Sequence, residues 1–366
     1  MGSLKKSSPR EARPRQRTAV KSDSLVDTLR GWILSGKYPP GLRFPTHAAL
    51  RRQFGFSVTT VQRAMDQLQQ EGFLCSMSAR GTFVSDKPPH LCRYGIVLQK
   101  TMNRASQSFQ NFESILLMEA MRLRQRGTTD LCVYEGFESP DTIPAELESD
   151  IRVSRLAGLI LTVPWIVAQS PLLPLLKGHR IPLVGIAEPG WLNAPGIPMV
   201  APRHMALIER ALDDFAARGR RHVAVLDILM QREEVLKAIK TRRLVTHPYW
   251  LQEVPESHRH AARSCMHLLM NGKDRPDALL IADDCLLEPA TAGLVDGRAR
   301  VPQNLDILSH CNFPYPSPSH LPVRRIGFDI RRVLSMCIEV IDACRRHERA
   351  RAFSEVPVVL EHDVAG

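Results

Sequence analysis

Residues 44–84 read FPTHAALRRQFGFSVTTVQRAMDQLQQEGFLCSMSARGTFV, and this stretch decides the fold of the amino-terminal part of the chain. Its apolar residues recur at helical spacing in two runs that are separated by Gly55. Thr46 and Ser57 precede these runs, and a hydroxyl side chain at such a position caps a helix. Because the turn between the runs is so short, the pattern predicts a helix–turn–helix.

Two short strands are predicted to follow the second helix. Gly72 stands where a helix ends, and residues 73–77 and 82–84 have the composition of strands. The four residues between them, 78–81, include one cation, Arg80. A hairpin in this place is the wing of a winged helix.

The second helix has a polar face opposite its apolar stripe. This face is predicted to carry Thr59, Thr60, Gln62 and Arg63. Such side chains read base edges and phosphates when a helix lies in the major groove. An ordinary helical pair with a solvated polar face is the alternative interpretation of an isolated pattern of this kind.

Residues 22–86 resemble the GntR-type winged-helix domain. The resemblance rests on the runs at 40–46 (PGLRFPT) and 80–84 (RGTFV), on Ser57, and on Glu71-Gly72. It implies that the domain binds double-stranded operator DNA through its caps, second helix and wing tip, at Thr46, His47, Ser57, Val58, Thr59, Thr60, Gln62, Arg63, Arg80, Gly81 and Thr82. The chain departs from the family at Val58 and Gln62, where arginines are usual, and at His47-Ala48, where Glu-Arg is usual.

The composition is that of a globular protein. A length of 366 residues allows two or three domains, and 44% apolar with 24% charged residues is ordinary for such a chain. No apolar run is long enough to span a bilayer, and the amino terminus lacks the apolar core of a signal peptide. The eight cysteines have no metal-site spacing, which favours reduced thiols in a cytoplasmic protein. The DNA binding that the resemblance implies would place the protein at the nucleoid when it is bound to DNA.

Positive charge is concentrated near the amino terminus. Seven Lys or Arg against one glutamate give residues 1–21 a net charge of +6, and residues 22–86 add +2 of the total +11. We expect residues 1–21 to be an arm that is disordered without DNA and touches its backbone. A solubilising leader without a partner is the alternative. Residues 22–36 predict a first helix, and the proline-rich residues 87–92 predict an extended linker.

The remaining chain, residues 93–366, alternates short apolar strands with helices. This order predicts an α/β fold with parallel sheets, and its length favours two lobes. The predicted helices include 112–125 and 204–218. The predicted strands are 94–99, 131–134, 159–163, 182–186, 223–228, 278–282, 306–309 and 356–360.

Residues 93–366 also resemble the ligand-binding and dimerisation domain of LacI-type repressors, which has the fold of type I periplasmic binding proteins. The landmarks are the segments 94–98, 215–226, 276–284 and 301–310. The resemblance implies that a small polar ligand, such as a sugar, binds between two lobes at the ends of strands. The candidate contacts are Gln99, Lys100, Glu188, Trp191, Arg232, Asp283, His310 and Asn312, although each of them has an alternative interpretation as a surface or core residue.

Three classes of function are compatible with these patterns. The first is a repressor that dimerises on a two-fold operator and is controlled by a ligand. The second is an enzyme fused to a DNA-binding domain, but no lysine in a pyridoxal-phosphate setting, no Gly-x-Ser-x-Gly and no metal motif is found. We therefore expect no catalytic residue, cofactor or metal. The third is a DNA-binding protein whose large domain only dimerises.

Overall fold

The computed structural model describes residues 14–99, 107–127, 129–137, 142–162, 170–188 and 196–364. They form two compact units. One contains the described residues up to Arg93 together with Ser149–Ala157, and the other contains Tyr94–Glu148 and the described residues from Gly158 onward. None of the helices in these ranges is both long and apolar enough to cross a membrane.

The first unit contains a winged helix. Its elements are α1 (Pro14–Leu34), α2 (His47–Phe54), α3 (Val58–Gln70), β1 (Leu74–Met77) and β2 (Gly81–Val84). The two strands pair antiparallel, from Leu74 opposite Val84 to Met77 opposite Gly81. The helices and the hairpin share one apolar core, whose largest fully buried members are Leu25, Leu29, Leu50, Met65, Leu68 and Phe73.

Two boundaries differ from the sequence-based prediction. Helix α1 begins at Pro14, eight residues before the predicted start, because proline is favoured in the first turn of a helix. Residues 14–21 are therefore helical rather than a disordered arm, and residues 1–13 lie outside the described residues. The predicted extended linker instead contains a helical turn, α4 (Pro89–Cys92), which also starts on a proline.

The second unit contains two parallel sheets covered by helices. Its elements are β3 (Arg93–Gln99), α5 (Gln107–Gln125), β4 (Asp130–Phe137), α6 (Ala145–Arg152), β5 (Gly158–Leu161), α7 (Leu172–Gly178), β6 (Leu183–Ile186), β7 (Met199–Ala201), α8 (His204–Ala217), β8 (Val223–Asp227), α9 (Arg232–Thr241), β9 (Leu251–Glu253), α10 (Ala261–Asn271), β10 (Ala278–Ile281), α11 (Leu287–Asp296), β11 (Asp306–Phe313), β12 (Arg324–Asp329), α12 (Ile330–Arg345), β13 (Phe353–Glu355), β14 (Val358–Leu360) and α13 (Glu361–Val364). The first residue of β3 and the second half of α6 belong to the first unit.

Each sheet is the centre of one lobe. The strand order is β13-β7-β6-β5-β3-β4 in the first lobe and β14-β12-β11-β10-β8-β9 in the second. Strand β14 runs antiparallel to β12. Every residue of β5 and of β10 is buried, as expected for strands covered on both faces. The chain passes between the lobes after β7, after β12, and between β13 and β14.

The predicted fold class, a winged helix followed by a two-lobed α/β region with parallel sheets, is confirmed. All eight predicted strands coincide with strands of the structure. The predicted helix 112–125 lies within α5, and the predicted helix 204–218 extends one residue beyond the end of α8. Four strands were not predicted. Strands β7, β9 and β13 have three residues each, which is too short for a recognisable period, and β12 begins with two arginines.

Candidate DNA interface and ligand cleft

The starts of α2 and α3 are fixed by hydroxyl caps. Ser57 Oγ accepts a hydrogen bond from the backbone N–H of Thr60 at 3.2 Å, and Thr46 Oγ1 accepts one from Ala49 N–H at the same distance. Gly55 ends α2 with a positive φ of 69°, which reverses the chain within the short turn. These caps and the glycine set the direction in which α3 leaves the turn.

Thr60 does not lie on the exposed face of α3. Its side chain is buried, with 4% exposed, and its hydroxyl shares a 2.8 Å hydrogen bond with Ser57 Oγ. Ala64 and Leu68, one and two turns further on, are buried on the same side. The prediction that Thr60 points outward is therefore wrong. Its side chain supports the cap instead.

The other predicted residues of the outer face, Thr59, Gln62 and Arg63, are exposed, and so is Val58, which was predicted as a DNA contact. Gln62 Nε2 donates a 2.7 Å hydrogen bond to Asp66 Oδ1, one turn further along the helix. This bond orients the amide of Gln62. Arg63 forms no ion pair with another described residue, so its guanidinium is available to a ligand outside the domain.

The wing presents two cations. Arg80 and Gly81 are exposed at the hairpin tip, and Thr82 is half-buried. Gly81 has a φ of 106°, and a Cβ added there would lie only 3.2 Å from Nε of Arg43. The glycine thus lets the exposed Arg43 side chain lie against the tip. Arg43 was missed as a candidate, although it belongs to the run at 40–46 that carries the family resemblance.

Arg30 of this unit has structural partners within it. Arg30 is buried, and its guanidinium binds both carboxylate oxygens of Glu71, at 2.9 and 2.7 Å, and Asp27 at 2.7 Å. This pairing ties α1 to the end of α3. His47, a predicted DNA contact, is the first residue of α2 and is half-buried.

A cluster of polar side chains lies at the carboxyl ends of β10 and β11 in the second lobe. Asp283 and Asp284 follow β10, with 6% and 3% of each residue exposed, and His310 and Asn312 lie on β11. Donor atoms of Asp283, Asp284 and His310 all lie within 4.8 Å of one another. Asn312 Nδ2 donates to Asp284 Oδ2 at 3.3 Å. The structure thus gathers three predicted residues around Asp284, which was not a candidate.

Helix α5 of the first lobe bonds to this cluster. Ser108 Oγ donates to Asp283 Oδ2 at 2.6 Å, and Asn111 Nδ2 donates to Asp284 Oδ1 at 3.3 Å. The backbone N–H of Ser108 donates to Glu256 Oε1 at 2.8 Å. These three bonds link the lobes across the cleft.

Two carboxyl groups of the second unit have raised pKa values. Burial raises the pKa of Asp284, and the neighbouring charge of Asp283 raises it further, although His310 opposes both effects. Burial also raises the pKa of Glu113 on α5, which accepts a 2.7 Å hydrogen bond from Thr162 Oγ1 just after β5. Carboxyl groups from both lobes therefore stand in partly dehydrated surroundings.

A second group lies at the first passage between the lobes. Glu188 Oε1 accepts a 2.6 Å hydrogen bond from the backbone N–H of His204, and His204 Nε2 lies 2.8 Å from Oδ2 of Asp227. Burial opposes the charged imidazole, but the hydrogen bond and charge of Asp227 outweigh burial and raise the pKa of His204. Burial likewise opposes ionised Asp227, yet the His204 partner lowers the pKa of that carboxyl. Glu188 was predicted as a site residue, whereas His204 and Asp227 were not.

Replacing His204 with glutamine should remove a pH-dependent part of the stability. The raised pKa means that the contribution of protonated His204 is complete below the ordinary value of 6.5 and is lost as pH rises through the folded-state value. The free energy of unfolding of the native protein should therefore fall more steeply than that of the variant as pH rises above 6.5. Chemical denaturation at a series of pH values measures this difference. The exposed His267→Gln variant should follow the native curve, and identical slopes for His204→Gln and the native protein would contradict the expectation.

The other predicted ligand contacts are not part of these groups. Gln99 ends β3, and its side chain lies outside what the structure describes, as do residues Lys100 and Trp191. Arg232 begins α9, and its guanidinium donates to the carbonyls of Pro248 at 3.3 Å and Leu251 at 2.9 Å. Arg232 thus supports the edge strand β9, and its role as a ligand contact stays a prediction.

A capped reading helix followed by a cationic wing defines a class of nucleic-acid-binding domain. Residues 21–84 match the family described as bacterial regulatory proteins, gntR family. The amino-terminal domain is a winged helix-turn-helix of the GntR type.

Similar proteins of known function match part of the chain. The histidine utilization repressor of Klebsiella aerogenes is 29% identical over 140 residues, which cover 38% of this chain and 58% of that protein. The arabinose metabolism transcriptional repressor of Geobacillus stearothermophilus is 35% identical over 75 residues, 20% of this chain and 21% of that protein. The chain therefore spans just over half of the first relative and about a fifth of the second.

The second unit has the fold of LacI-family regulators. A regulatory protein of this family from Chloroflexus aggregans superposes with a TM-score of 0.53 and 17% sequence identity, over 73% of this chain and 96% of that one. At this identity the likeness concerns the fold alone.

Proposed function

We propose that the protein is a DNA-binding transcription regulator, a repressor whose affinity for its operator is controlled by a small ligand. The match of residues 21–84 to the GntR family, on a folded winged helix with an exposed reading face, is the observation that carries this proposal. Residues 22–86 would bind DNA, and residues 93–366 would bind the ligand and dimerise. The protein would act in the cytoplasm.

The geometry supports a definite mode of binding. The amino-terminal half of α3 enters the major groove, where Thr59 and Gln62 face base edges and Arg63 faces base or phosphate. The wing tip lies along the adjacent backbone, where Arg80 and Arg43 neutralise phosphates. Thr46 and Ser57 add backbone contacts at the starts of the two helices.

The cleft between the lobes is the proposed ligand site. Glu188, Asp283, His310 and Asn312 offer the carboxylate, imidazole and amide groups that bind sugar hydroxyls, and the fold is that of LacI-family regulators. The arabinose repressor named above supports a sugar by its name. A ligand that alters the bonds between α5 and the second lobe would alter the angle between the lobes. Coupling of this kind changes affinity by about 1–3 kcal/mol.

A homodimer is part of the proposal. A winged helix reads one half-site, and a two-fold operator needs two copies of it in fixed register. The large second unit would supply the interface. Analytical ultracentrifugation, with and without DNA, would show whether two copies bind one duplex.

The proposal is tested by selecting bound sequences from a random duplex library. The selected sequence is then used in gel shifts at low and at physiological salt. One retarded band that weakens steeply with salt is expected. If a sugar that binds in the cleft controls DNA affinity, adding mono- or oligosaccharides should change the intensity of the retarded band. If DNA binds but none of the sugars stabilises the protein thermally, the alternative of a purely dimerising second unit is favoured. Absence of any selected sequence would refute DNA binding.

A further inference from the structure

We propose that Asp283, Asp284 and His310 bind one divalent transition-metal cation in the cleft of the second unit. Neither the GntR-type match nor the LacI-type fold assigns such a site. Asp283 and Asp284 follow β10, and His310 lies on the adjacent parallel strand β11, which brings their donor atoms within 4.8 Å of one another.

The first argument is charge. Asp283 and Asp284 are consecutive and almost completely buried, and neither forms an ion pair with Lys or Arg within the described part of the chain. Within the described part of the chain, they accept hydrogen bonds from hydroxyl, amide and backbone donors. Buried carboxylates in proteins are paired with a cation or coordinate a metal. A cation between the two carboxylates and His310 would supply the missing positive charge.

The second argument is the imidazole. Nδ1 of His310 is buried and has no hydrogen-bond partner among the described residues. A buried nitrogen without a partner carries a desolvation cost that a bound cation would remove. Ligand atoms around a metal at bond lengths of about 2.0–2.2 Å stand up to about 4 Å apart, so a small inward movement of these side chains completes the site.

The donor set indicates the class of metal. Imidazole nitrogen favours zinc, nickel and iron, and carboxylate oxygen also suits manganese. Calcium and magnesium prefer shells made entirely of oxygen. One nitrogen and two carboxylates therefore favour a first-row transition ion, with water or a hydroxylated ligand in the remaining positions.

The surrounding donors orient the proposed ligands. Ser108 Oγ holds Asp283 at 2.6 Å, and Asn111 Nδ2 lies 3.3 Å from Asp284. Partners of this kind orient metal ligands and tune affinity. Because Ser108 and Asn111 lie on α5 of the first lobe, metal binding would favour the arrangement in which the lobes are bonded together. This regulatory consequence rests on the proposed function, whereas the metal site itself does not.

Titration calorimetry on the full chain, stripped with a chelator, tests the site with Mn²⁺, Ni²⁺ and Zn²⁺ separately. We expect one equivalent of at least one ion to bind, and Asp284→Asn and His310→Gln to lower its affinity at least about 100-fold. Ser108→Ala, which removes only an orienting hydroxyl, should lower it about 10-fold. The exposed Glu339→Gln variant on α12 is the matched control and should bind as the native protein does.

Co²⁺ gives an independent spectroscopic test. A visible absorption band should appear with one equivalent of Co²⁺ in the native protein and be lost in His310→Gln. Circular dichroism checks that each variant is folded, and Ser108→Ala provides the comparison if a ligand variant is not. Failure of all four ions to bind, or unchanged binding in both ligand variants, would overturn the metal site. Metal binding without DNA binding would leave the site standing and refute the proposed function.

Discussion

Replacing Met65 with aspartate should unfold the winged helix and abolish DNA binding. Met65 has no exposed surface and lies in the core that joins α1, α3 and the hairpin. An unpaired charge left in such a core costs about 3–5 kcal/mol, a large part of the stability of a small domain. Differential scanning calorimetry should show the loss of the transition of this domain, while the transition of the larger unit is retained.

Val58→Asp is the matched control, because the same substitution is made on the same helix at a residue that is 53% exposed. Its position in the first turn of α3 also favours a negative charge. The control should therefore melt as the native domain does, although its contacts with DNA phosphates would be weakened. A native melting curve for Met65→Asp would show that the assigned core is wrong.

Arg63→Ala and Arg80→Ala should each weaken DNA binding about tenfold or more without loss of folding. Both side chains are exposed, and neither forms an ion pair with another described residue. If Arg80 contacts a phosphate, its removal should weaken binding equally for all sequences and reduce the slope of log affinity against log salt by about 1. If Arg63 contacts a base, its removal should also relax the preference at one position of the operator. Gel shift at several salt concentrations measures both effects.

Arg346→Ala provides the control for a change in net charge. Arg346 is exposed, lies in the second unit and is paired with Glu348 at 2.6 Å. Its removal lowers the total charge by the same amount and should leave DNA affinity unchanged. Unchanged affinity of Arg80→Ala at every salt concentration would contradict the assignment of the wing to DNA.

The winged helix could be predicted from sequence because local signals agree there. Thr46 and Ser57 cap the helices and Gly55 reverses the chain, and the structure shows all three in these roles. Thr60 was misplaced because it lies at the border between the buried and exposed faces of α3. Its burial depends on a hydrogen bond to Ser57, which a helical period does not reveal.

The ligand cleft could be predicted only in part. Asp283, His310 and Asn312 follow apolar runs that were predicted as strands, so the strand pattern predicted them as site residues. Asp227 was hidden because the predicted strand continued to Ile228, whereas β8 ends at Asp227. Ser108 and Asn111 come from a helix of the other lobe, 175 and 173 residues away from their partners, and no local pattern indicates such a pairing.

Neither lobe is a contiguous piece of polypeptide, because β13 and β14 belong to different sheets although only two residues separate them. A gene shortened after α12 would remove the strand that pairs with β7 and leave an open sheet edge, which is a site of aggregation. Dissection of the protein into separately expressed halves should therefore fail in the second unit. Reporter fusions and truncations should keep the chain intact to at least Leu360.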